Sequence, residues 1–144
     1  MANTPPTQAP TATELLADPV VQAALDQAWA DSLPSDPTYR HEEGGWVYLD
    51  VTTSAISIQR APTGKDTRVD LFNPPLVVGS VVVATFHTHP NPSSEGWYAG
   101  PSGSDDISAN FLGVPCLIRA DNGTYTTGPA SRRGGLGGGP GFPP

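Results

Sequence analysis

Six residues, Val81-Val82-Val83-Ala84-Thr85-Phe86, run straight into His87-Thr88-His89 and stop at Pro90. This is the most apolar stretch of the chain, and its β-branched content marks a strand. A strand this apolar belongs at the centre of a sheet. Pro90 has no N–H to offer a ladder, so the strand ends just behind the histidines. In extended backbone, residues two apart project from one face, so His87 and His89 stand side by side at the strand exit. In open sheets, sites collect at such exits.

The flanking sequence supplies partners for that strand. Residues 11–36 read as helical, with Leu15, Leu16, Val20, Val21, Ala24, Leu25 and Trp29 at helical spacing. Asp18 suits an N-cap, Pro19 a first helical residue, and Pro34 ends the helix. "GWVYLDVTT" and "AISIQRA" form an expected hairpin, and "RVDLFNPP" reads as a short third strand. After the histidines, "SDDISANFLG" reads as a short helix starting near Ser102. "VPCLIRA" and "GTYTTG" are two strands joined by Asp-Asn-Gly, a strong hairpin signal. The fold class is therefore α/β or α+β, a mixed β-sheet flanked by helices in a single domain.

Glycine and proline (16 and 17 of 144 residues) collect at the ends. Residues 1–12 are Pro/Thr/Ala-rich and 128–144 are a Gly/Pro tail, so both ends are expected to be disordered around a folded body of 13–127. A formal net charge of −7 argues against nucleic-acid and anionic-membrane partners. No apolar run approaches the roughly 20 residues of a membrane span. The N-terminal residues lack a basic start and an apolar core, so no Sec signal is expected and the cytoplasm is the default compartment. Secretion as an effector stays open. The single cysteine, Cys116, precludes an intramolecular disulfide and an all-cysteine metal site, and its apolar strand marks it as core.

His87 and His89 are spaced to reach one metal ion. Downstream, Ser102 and Asp105 lie three apart in the first turn of the expected helix, and Asp105 offers a third ligand. Two imidazoles and one carboxylate suit catalytic zinc, with the fourth position open for water. Such a centre needs a base. Glu42 and Glu43, at the mouth of a strand, are both placed for it, and Gly44 and Gly45 permit close backbone approach. His41 is expected to be exposed beside this acidic pair.

Taken together, Glu42, His87-Thr88-His89-Pro90 and Ser102-x-x-Asp105 resemble the signature of the JAMM/MPN+ metalloproteases, the JAB domain. The resemblance spans the body from the first helix to the last hairpin. It implies a JAB/MPN-like, cytidine-deaminase-like fold with zinc on His87, His89 and Asp105. It also implies Glu42 as general acid/base, with Glu43 the alternative, and Ser102 as hydrogen-bond donor to the oxyanion. Two other zinc families fail on their own motifs. Zinc deaminases need H-x-E with P-C-x-x-C, but residue 119 is Arg; metallo-β-lactamases need H-x-H-x-D-H. Twelve residues separate His89 from Ser102, more than the family usually has, and the extra segment offers Trp97 and Tyr98 as substrate contacts on a flap, or as a packed surface loop.

The activity implied is hydrolysis of an amide bond in a protein or peptide, ubiquitin-like substrates included, by a peptidase or a deubiquitinase-like isopeptidase. A toxin or effector domain and a non-catalytic metal-bound interaction module are the alternatives. The tail's "SRRGGLGGG" is faintly similar to the Arg-Gly-Gly ends that such enzymes cut, but a flexible linker is the commoner cause of such a run.

Overall fold

A computed structural model describes residues 9–129. In chain order it contains helices α1 (Ala12–Ala17) and α2 (Pro19–Asp31) and strands β1 (Gly44–Asp50), β2 (Ile56–Arg60) and β3 (Ser80–His89). A 3-10 turn (Ser93–Glu95), helix α3 (Gly103–Leu112) and strands β4 (Cys116–Ala120) and β5 (Gly123–Thr127) follow. The strands form one mixed sheet of order β2-β1-β3-β4-β5. Only the β3–β4 pairing is parallel, with α3 in the crossover. The small α+β domain expected from the sequence is thus observed, with the histidine-bearing strand at its centre.

The N-terminal helical stretch is two helices. Thr11 and Glu14 form a capping box that starts α1. Asp18 ends α1 and immediately caps α2, accepting from Val20 N–H at 2.8 Å, with Pro19 in the first helical position. Pro19 cannot donate to the preceding turn, so the helical pattern runs across the junction while the hydrogen-bond ladder does not.

The third expected strand is absent among the described residues. In place of a strand at 68–75 the chain makes one isolated bridge, Lys65 to Arg68, and an irregular connection. The physical reason is local. Asp70 accepts the Phe72 N–H at 3.0 Å, turning the backbone, and Pro74 and Pro75 have no N–H for a ladder. The segment is held to the sheet by side chains of β1. Trp46 Nε1–H donates to the Leu71 carbonyl at 2.9 Å and the Tyr48 hydroxyl to that of Pro75 at 2.6 Å.

The period of two divides the sheet into two faces. Val47 and Leu49 of β1, Phe86 of β3 and Leu117 of β4 pack with Leu15, Val21 and Leu25 of the N-terminal helices. Each contributes about 1.5–3 kcal/mol by leaving water. On the other face, Cys116 and Ile118 of β4 meet Ala109 of α3, while Trp46 and Tyr48 meet Leu71 and Ala61. The folded body reaches beyond 13–127 at both ends: Ala9 is buried, Thr11 caps α1, and Gly128 lies against Ala109. The rest of the two expected disordered ends lies outside the described residues. No helix among the described residues is long and apolar enough to cross a membrane.

Candidate metal centre

Strand β3 sorts its last five residues by alternation. Phe86 and Thr88 point toward α1 and α2, where Thr88 Oγ1 lies 2.5 Å from Ser32 Oγ. Thr85, His87 and His89 face the other way, into a cleft of about 670 Å³. Close approach of β1 holds this end of β3 in place. A side-chain carbon on Gly44 would lie 2.4 Å from the Phe86 carbonyl oxygen and 2.9 Å from His87 Cβ, which no larger residue tolerates.

The two imidazoles converge. Their Nε2 atoms are 3.1 Å apart, and each is 3.2 Å from one oxygen of Asp105. Asp105 reaches them because Ser102 starts α3 there. Ser102 Oγ accepts the Asp105 N–H at 3.1 Å, and the Asp105 carboxylate accepts the Ser102 N–H at 2.8 Å, a reciprocal capping box. The helix cap therefore serves the site, by aiming the carboxylate. Ser102 uses an oxygen lone pair for the cap, so its hydroxyl proton is free to donate, and Ser102 itself lines the cleft.

The outer nitrogens set the tautomers. His89 Nδ1 is 3.2 Å from the Ala99 carbonyl, which only accepts, so Nδ1 carries a proton there and Nε2 is the nitrogen turned toward Asp105. His87 Nδ1 lies 3.4 Å from Cys116 Sγ. Burial, the largest influence on His87, disfavours its charged form, yet Cys116 and Asp105 together raise its pKa well above the ordinary imidazole value. Burial would also raise Asp105, but hydrogen bonds from His87 and His89 prevail and hold its carboxyl well below the usual range. A divalent cation would supply the positive charge that this carboxylate otherwise takes from imidazole protons. Two inward imidazole nitrogens and a carboxylate, with their outer atoms engaged, fit the nitrogen and oxygen ligand set of zinc.

Glu42 completes the cluster. Its carboxylate and the two imidazoles lie within 4.8 Å of one another, so Glu42 and Asp105 compete geometrically as the third ligand. The contacts favour Asp105, which touches both rings at 3.2 Å, while the Glu42 carboxylate makes no hydrogen bond or ion pair among the described residues. Glu42 is only 7 % exposed. Desolvation raises its pKa to about 7, against the opposing pull of His87 and His89.

Glu43 is equally buried but on the opposite face. Its two carboxylate oxygens are taken by Arg60 Nη2 and His41 Nε2, both at 2.6 Å, and its N–H donates to Thr88 Oγ1 at 3.0 Å. His41, expected to be exposed, is mostly buried in this contact. Trp97 and Tyr98 line the cleft and are 46 % and 75 % exposed. Their segment is more than a surface loop, since Ala99 within it orients His89. Cys116 is core, as its apolar strand predicts, and in addition touches His87; neither that contact nor the part played by Ala99 is legible in the sequence. The parallel register that sets Thr85 opposite Cys116 brings that thiol to His87, and no local pattern announces such a pairing. Compared with protein-family models, with curated proteins and with solved structures, the chain matches none.

Proposed function

We propose that this protein is a zinc-dependent amide hydrolase, a metallopeptidase or isopeptidase of JAMM/MPN+ type acting on protein or peptide substrates. One observation carries the reading: His87 Nε2, His89 Nε2 and the two Asp105 oxygens converge to 3.1–3.2 Å while the Glu42 carboxylate beside them makes no hydrogen bond or ion pair among the described residues. His87, His89 and Asp105 would hold the zinc. When bound, zinc supplies Lewis-acid polarisation of water and of the scissile carbonyl.

The other steps belong to the chain's own groups. Glu42, buried beside the two histidines, is the group placed to act as a general base and then a general acid. It takes a proton from the attacking water and delivers it to the leaving amine. Ser102 offers its free hydroxyl proton to the oxygen on which charge develops. Glu43 is committed to Arg60 and His41 and has no part in the reaction. The Glu42-Glu43 pair leading into β1 thus divides labour by face, with Glu42 reactive and Glu43 structural.

Metal analysis joined to an unbiased peptide-cleavage screen tests the reading. The expected result is about one zinc per chain, with cleavage of amide bonds that chelation abolishes. A protein that neither retains nor takes up a divalent metal overturns it.

A further inference from the structure

Three of the four described arginines are paired with carboxylates. Arg40 meets Glu95 at 2.6 Å, Arg60 meets Glu43 at 2.6 Å and Asp31 at 2.9 Å, and Arg119 meets Asp26 at 2.8 Å. Arg68 meets none. Acids are not scarce in a chain with 14 Asp and Glu against 7 Lys and Arg. Arg68 is also the one lysine or arginine among the described residues that line the cleft.

Its turn is fastened to the site. The Lys65 N–H donates to the Arg68 carbonyl at 2.6 Å, the Glu42 N–H to the Lys65 carbonyl at 2.6 Å, and the Gly64 N–H to the Glu42 carbonyl at 3.0 Å. On the far side, Asn91 Nδ2 donates to the Asp66 carbonyl at 3.2 Å, two residues after His89. A side-chain carbon on Gly64 would lie 2.4 Å from the Arg68 carbonyl oxygen and 2.6 Å from that of Glu42, so the turn seats only with glycine there. The backbone that positions Glu42 therefore positions Arg68 as well. The cleft also has apolar lining. Phe72 and Ile107 line it and are 43 % and 70 % exposed, and Phe72 is backed by Phe111, edge to face with centroids 5.9 Å apart.

We infer that Arg68 is a specificity-determining residue of this cleft, binding a carboxylate of the peptide substrate while Phe72 and Ile107 of the same cleft take an apolar side chain. The inference rests on the amide-hydrolase reading and names its substrate class: acidic, apolar peptide segments. A guanidinium binds a carboxylate with two parallel hydrogen bonds. Asp66 on the same turn and Asp105 deeper in the cleft carry negative charges of their own, so zinc is included in the test.

Four labelled peptides of one length share a phenylalanine and carry Glu or Gln beside it, with a free or an amidated C-terminus. Their binding is measured by fluorescence anisotropy on zinc-supplemented Glu42→Gln protein, with and without Arg68→Gln. The expected result is that one class of carboxylate raises affinity about ten- to a hundredfold and that Arg68→Gln removes this gain without weakening the neutral peptide. Arg68→Lys retains part of the gain. The Glu arm and the free-terminus arm distinguish a side-chain carboxylate from a terminal one. Equal affinity for all four peptides, or equal loss for all four on Arg68→Gln, overturns the inference. Cleavage of the same set by the wild type separates the two readings. Cleavage without carboxylate preference sinks the Arg68 assignment alone. Arg68-dependent binding without any cleavage sinks the hydrolase reading alone. Where cleavage occurs, Arg68→Gln is expected to raise KM about ten- to a hundredfold and leave kcat nearly unchanged.

Discussion

Two polar clusters lie back to back across the end of β3, one on each face of the sheet. The first holds Glu42, His87, His89 and Asp105. The second holds Glu43, His41, Arg60, Asp31, Ser32 and Thr88. Both contain imidazole and carboxylate, and their glutamates are adjacent in sequence and almost equally buried, at 7 % and 5 % exposed. They differ in completion. In the second cluster each Glu43 oxygen meets a donor at 2.6 Å, and every group serves to lock α2 and β2 to the sheet. In the first, imidazole nitrogens face one another at 3.1 Å and one buried carboxylate makes no hydrogen bond or ion pair among the described residues. A satisfied network is a structural device, whereas convergent groups that leave bonding capacity unused are prepared for something else.

The comparison breaks most visibly on metal. His87→Ala is expected to abolish stoichiometric zinc, while His41→Ala leaves it in place. Elemental analysis of the two variants decides it, and zinc lost equally from both would erase the distinction. Next in size is catalysis. Glu42→Gln should keep zinc and lower kcat for amide cleavage by roughly 10²–10⁴-fold, while Glu43→Gln keeps kcat per folded molecule. If Glu43→Gln is instead the inactive variant, the roles of the two faces are reversed. Ser102→Ala should lower kcat about 100-fold with KM nearly unchanged. It also costs about 1 kcal/mol of stability, since the same oxygen caps α3. Melting temperature and kcat on one preparation separate these two roles.

The smallest effect sharpens the comparison by sign. In the metal-free protein Glu43→Gln should destabilise by about 2 kcal/mol, because it leaves Arg60 and His41 without their carboxylate. Glu42→Gln should do the opposite at alkaline pH. The Glu42 pKa rises from 4.5 to about 7 in the folded chain, so ionised Glu42 favours unfolding. That penalty builds from about pH 4.5, is complete above about pH 7, and is absent in acid. Glutamine therefore stabilises by on the order of 1–3 kcal/mol at pH 8 and by nothing near pH 4. Denaturant melts at the two pH values, with chelator present, read both signs.

Much of this was legible in the chain itself. The placement of β3, the β1–β2 and β4–β5 hairpins, the Asp18-Pro19 helix start and the Ser102 cap all follow from local rules of apolarity, turn chemistry and capping. The region 68–75 was misread because Val69, Leu71 and Phe72 look strand-like. The Asp70 turn and the Pro74-Pro75 pair outweigh their propensity, and burial of Leu71 under Trp46 supplies the tertiary reason for their apolarity. His41 looked exposed because nothing nearby in sequence reveals that Arg60 completes its partner Glu43.

The sequence by itself determined which residue types stand at the strand exit and the helix start, since the period of two aligns His87 with His89 and the cap fixes Asp105 three residues after Ser102. The same period allowed one of Glu42 and Glu43 to face the histidines but left open which one. Only the tertiary structure decided that. The antiparallel register that sets Gly44 opposite His87 turns Glu42 into the cleft and Glu43 toward α2, where Arg60 meets it. Register depends on packing of whole faces, and slipping it by one residue would exchange the two glutamates. Ala99, Cys116 and Arg68 became part of the site for the same reason. Loop closure and strand pairing brought them to the histidines from 10, 29 and about 20 residues away in sequence.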